Sequence, residues 1–347
     1  MPVPPSEPQS AHTVMVALKT LLLSPGSNFS LLSLACAGIV AGLFLIWRRR
    51  KARRPAPRLR VLAKALLAPK PWLGPSGQAD MILFLLNILA TGALIGWGLW
   101  SANTIATACT HFLEQMFGAR GAPALPPWAG GIALTLMLFL AYDFSYWVDH
   151  WLKHKVPLLW AFHRTHHTAE TLTPLTAYRM HPLDSLVFSN IVALGVGLAA
   201  GAGRYFLGPV QPFLLDGTNI LLVLFLCATI HLQHSHVPIA VTGWAGKVIF
   251  SPAHHHIHHS TSPAHFGANL GSCLALWDWL FGTLIAPESV RGKLVFGVAA
   301  EGDRYSHHSI AGTLAEPFLF VARMMSRAIA LKEKVLTARP DSSAPRA

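Results

Sequence analysis

The chain has 347 residues and a net charge of +12, yet only 12% of its residues are charged and 52% are hydrophobic. A soluble domain usually has about twice that charged fraction, so the composition is typical of a membrane protein, in which charge is costly. The four cysteines lie far apart, and the absence of a CxxC pair argues against zinc ribbons and dithiol redox motifs.

Five hydrophobic stretches approach the length of about 20 residues that a helix needs to cross a bilayer. In chain order they are Phe29–Trp47, Met81–Ser101, Gly130–Trp147, Leu186–Leu207 and Phe213–Leu232. We expect the last two to form a helical hairpin. The predicted fold class is therefore all-α, a polytopic membrane helix bundle of about four or five spans.

The positive charge is concentrated between the first two spans, where ten lysines and arginines lie between Arg48 and Lys70. The next loop, roughly 102–129, contains a single lysine or arginine, Arg120. Because basic loops stay in the cytoplasm, the first span is expected to end inside. We interpret the basic run as a topology signal that contacts anionic headgroups. A nucleic-acid site is a poor alternative, because the run is short, broken by proline and adjacent to the membrane.

Fifteen of the nineteen histidines lie between residues 150 and 265, and most of them form three boxes. The boxes are His150-Trp-Leu-Lys-His154, His163-Arg-Thr-His166-His167 and His255-His256-Ile-His258-His259. Histidines three and four residues apart share one face of a helix. Neutral imidazole suits iron, zinc, copper and nickel. Three converging faces therefore predict a cap that binds more than one metal ion. Alternation of the spans puts this cap on the cytosolic side.

Other histidine-rich metalloproteins fit this pattern less well. A membrane dihaem cytochrome places single histidines within its spans. A zincin needs HExxH, and no His-Glu pair occurs in the chain. A transporter would have carboxylates along its membrane path, whereas only Asp143 and Asp149 lie near the first box. The favoured interpretation is a di-iron oxygenase that acts on an apolar substrate. The alternative is a non-catalytic metal-binding or metal-transport membrane protein.

The order of the motifs resembles that of the fatty acid hydroxylase/sterol desaturase superfamily of integral membrane di-iron enzymes. The matching motifs are DFSYWVDHWLKH from Asp143, LWAFHRTHHT from Leu159, RMHPLD from Arg179, QHSH from Gln233, SPAHHHIHHS from Ser251, NLG from Asn269 and WDWLFGT from Trp277. His236 stands where many members have asparagine. The resemblance covers about residues 78–286. It implies an N-terminal segment 1–28, a first span with a basic loop 29–77, a catalytic domain 78–286 and a C-terminal segment 287–347.

The resemblance also implies a set of metal ligands for two Fe²⁺ ions. The candidate ligands are His150, His154, His163, His166, His167, His181, His231, His234, His255, His258 and His259. Bound imidazoles usually donate their second N–H to a carboxylate, carbonyl or water. The candidates for that supporting role are Asp143, Asp149, Asp184, Asn269 and Asp278. The downstream pair His307-His308 is expected at the surface.

The activity implied is hydroxylation or desaturation of a fatty acyl, sterol or ether lipid, with O₂ as cosubstrate. The sequence has no His-Pro-Gly-Gly haem motif, no CxxC cluster and no glycine-rich dinucleotide motif. Electrons are therefore expected from a separate electron-transfer protein or a pterin-like reductant. The membrane is expected to be a bacterial inner membrane or one of the endoplasmic-reticulum type, with the boxes facing the cytoplasm. Hydroxylation, desaturation and ether cleavage begin with the same hydrogen abstraction, so motif spacing does not separate them.

Overall fold

The computed structural model describes most of the chain between Val16 and Thr337. The described residues are 16, 19–27, 30–66, 70–88, 99–119, 125–299 and 303–337. They are mainly helical, as predicted, with one two-stranded hairpin. Residues 89–98 of the predicted second span and the tail from residue 338 lie outside the described residues.

Besides the helical residues 19–23, five helices of the described part of the chain precede the histidine boxes. They are α1 (Leu31–Lys51), α2 (Leu59–Leu66), α3 (Lys70–Leu73), α4 (Pro75–Leu86) and α5 (Ala102–Phe117). The Ser30 side chain caps α1 by accepting a hydrogen bond of 3.1 Å from the Ser33 backbone N–H. The basic residues Arg48–Lys51 end α1, where positive charge suits the negative end of the helix dipole.

The next three helices position the first two boxes. They are α6 (Pro127–Lys155), α7 (Pro157–His167) and α8 (Pro182–Leu207). Pro157 lies in the first turn of α7, where its missing N–H leaves no hydrogen bond unmade. The chain therefore turns at Val156, and α7 packs back against α6 so that the two boxes meet.

The predicted fifth span, Phe213–Leu232, is shorter than expected. Its first residues form a hairpin in which Leu214–Leu215 (β1) pairs antiparallel with Thr218–Asn219 (β2). The turn is Asp216-Gly217, a dipeptide that favours two-residue hairpin turns, and both residues have positive φ. The following helix α9 (Ile220–Gln233) is therefore too short to span a bilayer by itself.

Three of the described helices, α1, α6 and α8, are long and apolar enough to cross a membrane. This supports membrane association, while the number of spans and the side that the histidines face stay predictions. One contact differs from the predicted topology. His231 Nε2 lies 2.9 Å from Ser33 Oγ, so the serine is a polar partner for this buried imidazole. The first turn of α1 thus lies beside the end of α9 rather than on the face opposite the histidines.

Glycines allow α8 to pack closely against α5 and α6. A Cβ added at Gly201 would lie 2.6 Å from the Cβ of Cys109 in α5. One added at Gly203 would lie 2.6 Å from Leu134 Cδ1 in α6. Small residues at such contacts let membrane helices approach closely enough for van der Waals packing. The close packing holds α6, and with it the first box, in a fixed position.

The remaining described α-helices complete the histidine cap and cover it, together with short 3₁₀ helices at Pro174–Tyr178, Pro263–His265 and Pro287–Ser289. The α-helices are α10 (Gly243–Gly246), α11 (Pro252–His258), α12 (Leu276–Leu280) and α13 (Ile310–Thr337). Helix α11 carries most of the third box and begins after Ser251, whose hydroxyl lies 2.7 Å from His254 Nδ1. Helix α13 packs against α7, so the C-terminal segment lies against the second box.

Candidate metal centre

The histidine boxes interleave to form two groups, each of which could hold a metal ion. In the first group, the candidate ligand atoms lie within 4.8 Å of one another. Its members are His150, His154, His163, His167 and His258. The Nε2 atoms of His167 and His258 are 3.2 Å apart. The Nε2 atoms of His150, His154 and His163 are buried and have no hydrogen-bond partner. Group one therefore draws on all three boxes.

Group two contains His166, His234, His255 and His259, again within 4.8 Å of one another. Their Nε2 atoms form a chain of short contacts. The separations are 3.1 Å from His166 to His234, 2.8 Å from His234 to His255 and 3.0 Å from His255 to His259. A neutral ring nitrogen either donates one hydrogen bond or accepts. At most two of these three contacts can therefore be hydrogen bonds.

A metal ion accounts for these contacts better than protons do. Imidazole nitrogens bind first-row metals at about 2.0–2.1 Å, and two ligands at a right angle are then about 3 Å apart. The observed separations of 2.8 to 3.2 Å agree with that spacing. Metal binding also satisfies several lone pairs at once. The all-nitrogen donor sets fit iron, and equally zinc, copper or nickel.

Burial favours the neutral form of an imidazole, which metal binding requires. It lowers the pKa of His166 and His255 well below the ordinary value, with neighbouring histidines adding to the effect. Burial also lowers the pKa of His234 and of His258 to about 3. Each of these four rings therefore keeps one free lone pair at physiological pH.

Backbone carbonyls fix the tautomers of two ligands in group one. His150 Nδ1 donates to the Leu270 carbonyl at 2.9 Å, and His258 Nδ1 donates to the Ala268 carbonyl at 2.9 Å. A carbonyl can only accept, so in each ring Nδ1 carries the proton and Nε2 keeps its lone pair for the metal site. Loop 268–271 is thus part of the support of group one.

Three of the predicted supporting residues bind backbone groups of this loop, of the segment directly after it or of the third box. Asp278 accepts hydrogen bonds from the backbone N–H groups of Leu270 and Gly271, at 2.9 and 2.8 Å. Asn269 has a φ of 54° and donates to the His254 carbonyl at 3.1 Å. Asp143 accepts from the backbone N–H of Cys273 at 2.9 Å. These side chains therefore act on the ligands through the backbone.

The other two supporting candidates, Asp149 and Asp184, share a buried lysine. Lys153 Nζ lies 2.7 Å from the Asp149 carboxylate and 2.8 Å from that of Asp184. Asp184 also lies 3.4 Å from Nδ1 of His163, a group-one residue. Sequence analysis did not single out Lys153, although its i,i+4 spacing from Asp149 is a signal for such a pair.

Two predicted ligands lie outside both groups. His181 caps α8, since its Nδ1 accepts a hydrogen bond of 3.1 Å from the Leu183 backbone N–H. His231 contacts Ser33 instead of the other candidates. Of the remaining histidines, His254 is buried at the start of α11 and His236 is exposed.

The C-terminal segment contributes partners that sequence analysis did not predict. Arg164, inside the second box, donates to both carboxylate oxygens of Asp303, at 3.1 and 2.6 Å. His307 and His308, which were expected at the surface, are only partly exposed and lie against charged partners. His307 contacts Asp303, and His308 Nδ1 lies 2.7 Å from the guanidinium of Arg179.

A cavity of about 540 Å³ adjoins both groups. His150 and His163 of group one and His166 and His234 of group two form part of its wall. It extends between α6, α8 and α9, where a substrate could reach both candidate metal positions.

Comparison with known proteins gives one family match. Residues 135–283 match the family model described as fatty acid hydroxylase. The matched range contains the three boxes and the loop that supports them. No solved structure matches the chain significantly.

Curated relatives match about half of the chain. Alkylglycerol monooxygenase of Homo sapiens is 29% identical over 46% of this chain and 32% of its own length. A Delta(7)-sterol 5(6)-desaturase of Aspergillus fumigatus is 29% identical over 47% of this chain and 51% of its own length. A very-long-chain aldehyde decarbonylase of Oryza sativa subsp. indica is 27% identical over 47% of this chain and 25% of its own length. The chain thus spans about half or less of these relatives.

Proposed function

Because the chain belongs to the fatty acid hydroxylase/sterol desaturase superfamily, we propose that it is a membrane-bound di-iron oxygenase that oxidises a lipid C–H bond. The pair of buried histidine groups beside one cavity carries this proposal. The names of the relatives, which refer to alkylglycerols, sterols and very-long-chain aldehydes, support a lipid substrate.

In this proposal each histidine group holds one Fe²⁺ ion, and the two ions supply the activation of O₂. Hydroxylation would consume one C–H bond, one O₂, two electrons and two protons, and would yield an alcohol and one water. Desaturation with the same O₂, electrons and protons would remove two substrate hydrogens and yield a double bond and two waters. The electrons would come from a separate electron-transfer protein or a pterin-like reductant on the cytoplasmic side.

The protein itself would supply orientation and exclusion of water. The carbonyls of Ala268 and Leu270 hold two ligand rings with their Nε2 lone pairs free. The buried Lys153 keeps Asp184 next to His163. We assign His181 to capping α8 rather than to metal binding, because of its bond to the helix N-terminus.

The first test is the metal content of the purified full-length protein and of three variants. Two irons per chain are expected for the unchanged protein. His154→Ala should impair group one, and His255→Ala should impair group two. His236→Ala is the matched control, because His236 is exposed and lies outside both groups.

The second test is O₂ consumption by the reduced protein with a membrane lipid extract. The oxygenase proposal expects consumption that depends on lipid and fails in His154→Ala and His255→Ala. The alternative is a non-catalytic metal-binding or transport protein. One loosely bound zinc, with no O₂ consumption and no effect of either variant on metal content, would favour that alternative.

A further inference from the structure

An exposed apolar surface lies on two short helices of the cap, α10 and α12. Trp244 of α10 is 71% exposed, and its ring centroid lies 6.1 Å from that of Trp279 in α12. Leu280 ends α12 and Phe281 follows it, and these two are 57% and 56% exposed. We call these four residues, together with the exposed Lys247, the α10–α12 face. Large apolar side chains grouped at a surface mark a contact with a protein or a membrane.

The two sides of α12 have different partners. Its inward side carries Asp278, which accepts hydrogen bonds from loop 268–271, and Trp277, whose indole N–H donates to Asp143 at 2.9 Å. Its outward side carries Trp279 and Leu280, both exposed. One side of α12 is thus fixed to the support of group one, and the other presents apolar residues at the surface.

The α10–α12 face continues an apolar stripe along α6. Between residues 130 and 147 of α6, the exposed residues are all apolar and four positions apart: Ile132, Leu136, Leu140 and Phe144. Residues at this spacing share one side of a helix, so the stripe is about 18 Å long. It reaches α12, because the Phe144 ring centroid lies 4.9 Å from that of Trp277 and 6.2 Å from that of Phe281. Since α6 is long and apolar enough to cross a membrane, the face extends a surface suited to lipid.

The composition of the face suits the layer between the lipid chains and water. Tryptophan is enriched in this layer, because its ring is apolar and its indole N–H is polar. The Lys247 ammonium lies over the Trp279 ring, 5.7 Å from its centroid. A lysine in this layer covers apolar surface with its stem and directs its charge to the lipid headgroups. The exposed carboxylate of Glu288 accepts from the Gly243 backbone N–H at 2.9 Å, so the start of α10 is the water-side edge of the face.

We propose that the α10–α12 face lies in the headgroup layer of the membrane, with its four apolar residues inserted among the lipids and Lys247 bound to a lipid phosphate. Continuity with the α6 stripe favours lipid over a second copy of the chain, because the stripe belongs to a helix that can itself cross the membrane. One short helix then connects the bilayer surface, through Trp279, with the support of group one, through Asp278. The face is independent of which metal or substrate the cap binds.

Photocrosslinking of the full-length protein identifies what covers the face. The photoreactive residue p-benzoylphenylalanine replaces Trp244 or Leu280, one at a time, in nanodiscs that are large enough for two copies. The lipid is phosphatidylcholine with a minor fraction of phosphatidylglycerol. Leu140 in the α6 stripe is the positive control position, and the exposed Arg291, outside the face, is the negative control position. Mass spectrometry should find peptides that carry one phospholipid at positions 140, 244 and 280 and not at position 291.

Three results would overturn the inference. The first is lipid labelling at position 140 without labelling at positions 244 and 280. The second is a covalent dimer formed through position 244 or 280, which would make the face a contact between copies of the chain. The third is equal lipid labelling at positions 280 and 291, which would show that the face has no special access to lipid.

The composition of the lipid adducts tests the role of Lys247. Phosphatidylglycerol should be enriched up to about fivefold over its bulk proportion among the adducts at position 280, since one lysine near the surface attracts anionic lipid. Lys247→Gln should return the adducts to the bulk proportion. Lys332→Gln is the matched control, because Lys332 is an exposed lysine of α13 outside the face. Equal enrichment in the two variants would overturn the assignment of Lys247 to a lipid phosphate.

Discussion

Replacing Asp278 by asparagine is expected to weaken metal binding by group one and to spare group two. The Asp278 side chain is fully buried. Its Oδ1 accepts hydrogen bonds from the Leu270 N–H, the Trp147 indole and the Thr283 hydroxyl, at 2.9, 3.1 and 2.6 Å. Its Oδ2 accepts one from the Gly271 N–H at 2.8 Å. The carboxylate therefore fixes the loop whose carbonyls orient two group-one ligands.

The size of the effect follows from these four bonds. Asparagine retains the three bonds at Oδ1 if its oxygen takes that position. Its NH₂ group then faces the Gly271 N–H, donor against donor. Losing one hydrogen bond to a charged acceptor costs about 1.5–3 kcal/mol. The loop must move at Gly271, next to the Leu270 carbonyl that holds His150. Loss of such a support lowers metal affinity by about 10–100-fold.

The measurement is a titration of the metal-free protein with cobalt(II), followed by absorption, together with the thermal unfolding midpoint in detergent. The unchanged protein should take up two ions, and Asp278→Asn should weaken only one of the two steps. Glu288→Gln is the control, because Glu288 is an exposed carboxylate that also accepts a backbone hydrogen bond. Equal weakening of both steps, or a lower midpoint with both affinities unchanged, would refute the reasoning.

Three further outcomes are expected. Asp303→Asn should lower the free energy of unfolding by about 3–5 kcal/mol, because it breaks a buried charge network; the exposed Asp216→Asn should not, and an unchanged melting midpoint for Asp303→Asn would contradict this. Lys153→Met should be similarly destabilising, since Asp149 and Asp184 then face each other without a cation; adding Asp149→Asn should restore part of the stability, and no recovery would argue against the pairing. Removing the metals with a chelator should lower the melting midpoint and adding iron back should restore it, with about 4 kcal/mol of stabilisation at a free-metal concentration 1,000 times the Kd; a midpoint insensitive to the chelator would show that the groups do not bind metal.

The sequence predicted which histidines lie together in the cap, but it did not predict which of the two groups each one joins. All nine histidines of the two groups were predicted as ligands. Their division was not predicted, and His166 and His167 show why. Adjacent residues point about 100° apart around a helix, so one joins each group. Assigning them requires knowing where the segment with His234 and the third box lie relative to α7.

The supporting residues were harder to predict because their partners are distant in sequence. Asp143 and Asp278 were predicted to accept from ligand imidazoles, but they bind backbone N–H groups, which no side-chain pattern reveals. Arg164 and Asp303 are 139 residues apart, so neither local spacing nor helical periodicity relates them. The short length of α9 was not predicted for another reason. The span was assigned from hydropathy alone, although the Asp216-Gly217 dipeptide before α9 favours a hairpin turn.

The contact between Arg164 and Asp303 indicates that the folded domain extends beyond the region that matches the family model. The family match ends at residue 283, yet an arginine inside the second box finds its carboxylate partner beyond that limit. A chain cut at the family boundary would remove this counter-ion together with α13, and would uncover the face of α7 that α13 packs against. Expression of residues 135–283 by themselves should therefore give a protein that retains every candidate ligand and is less stable than the full-length chain.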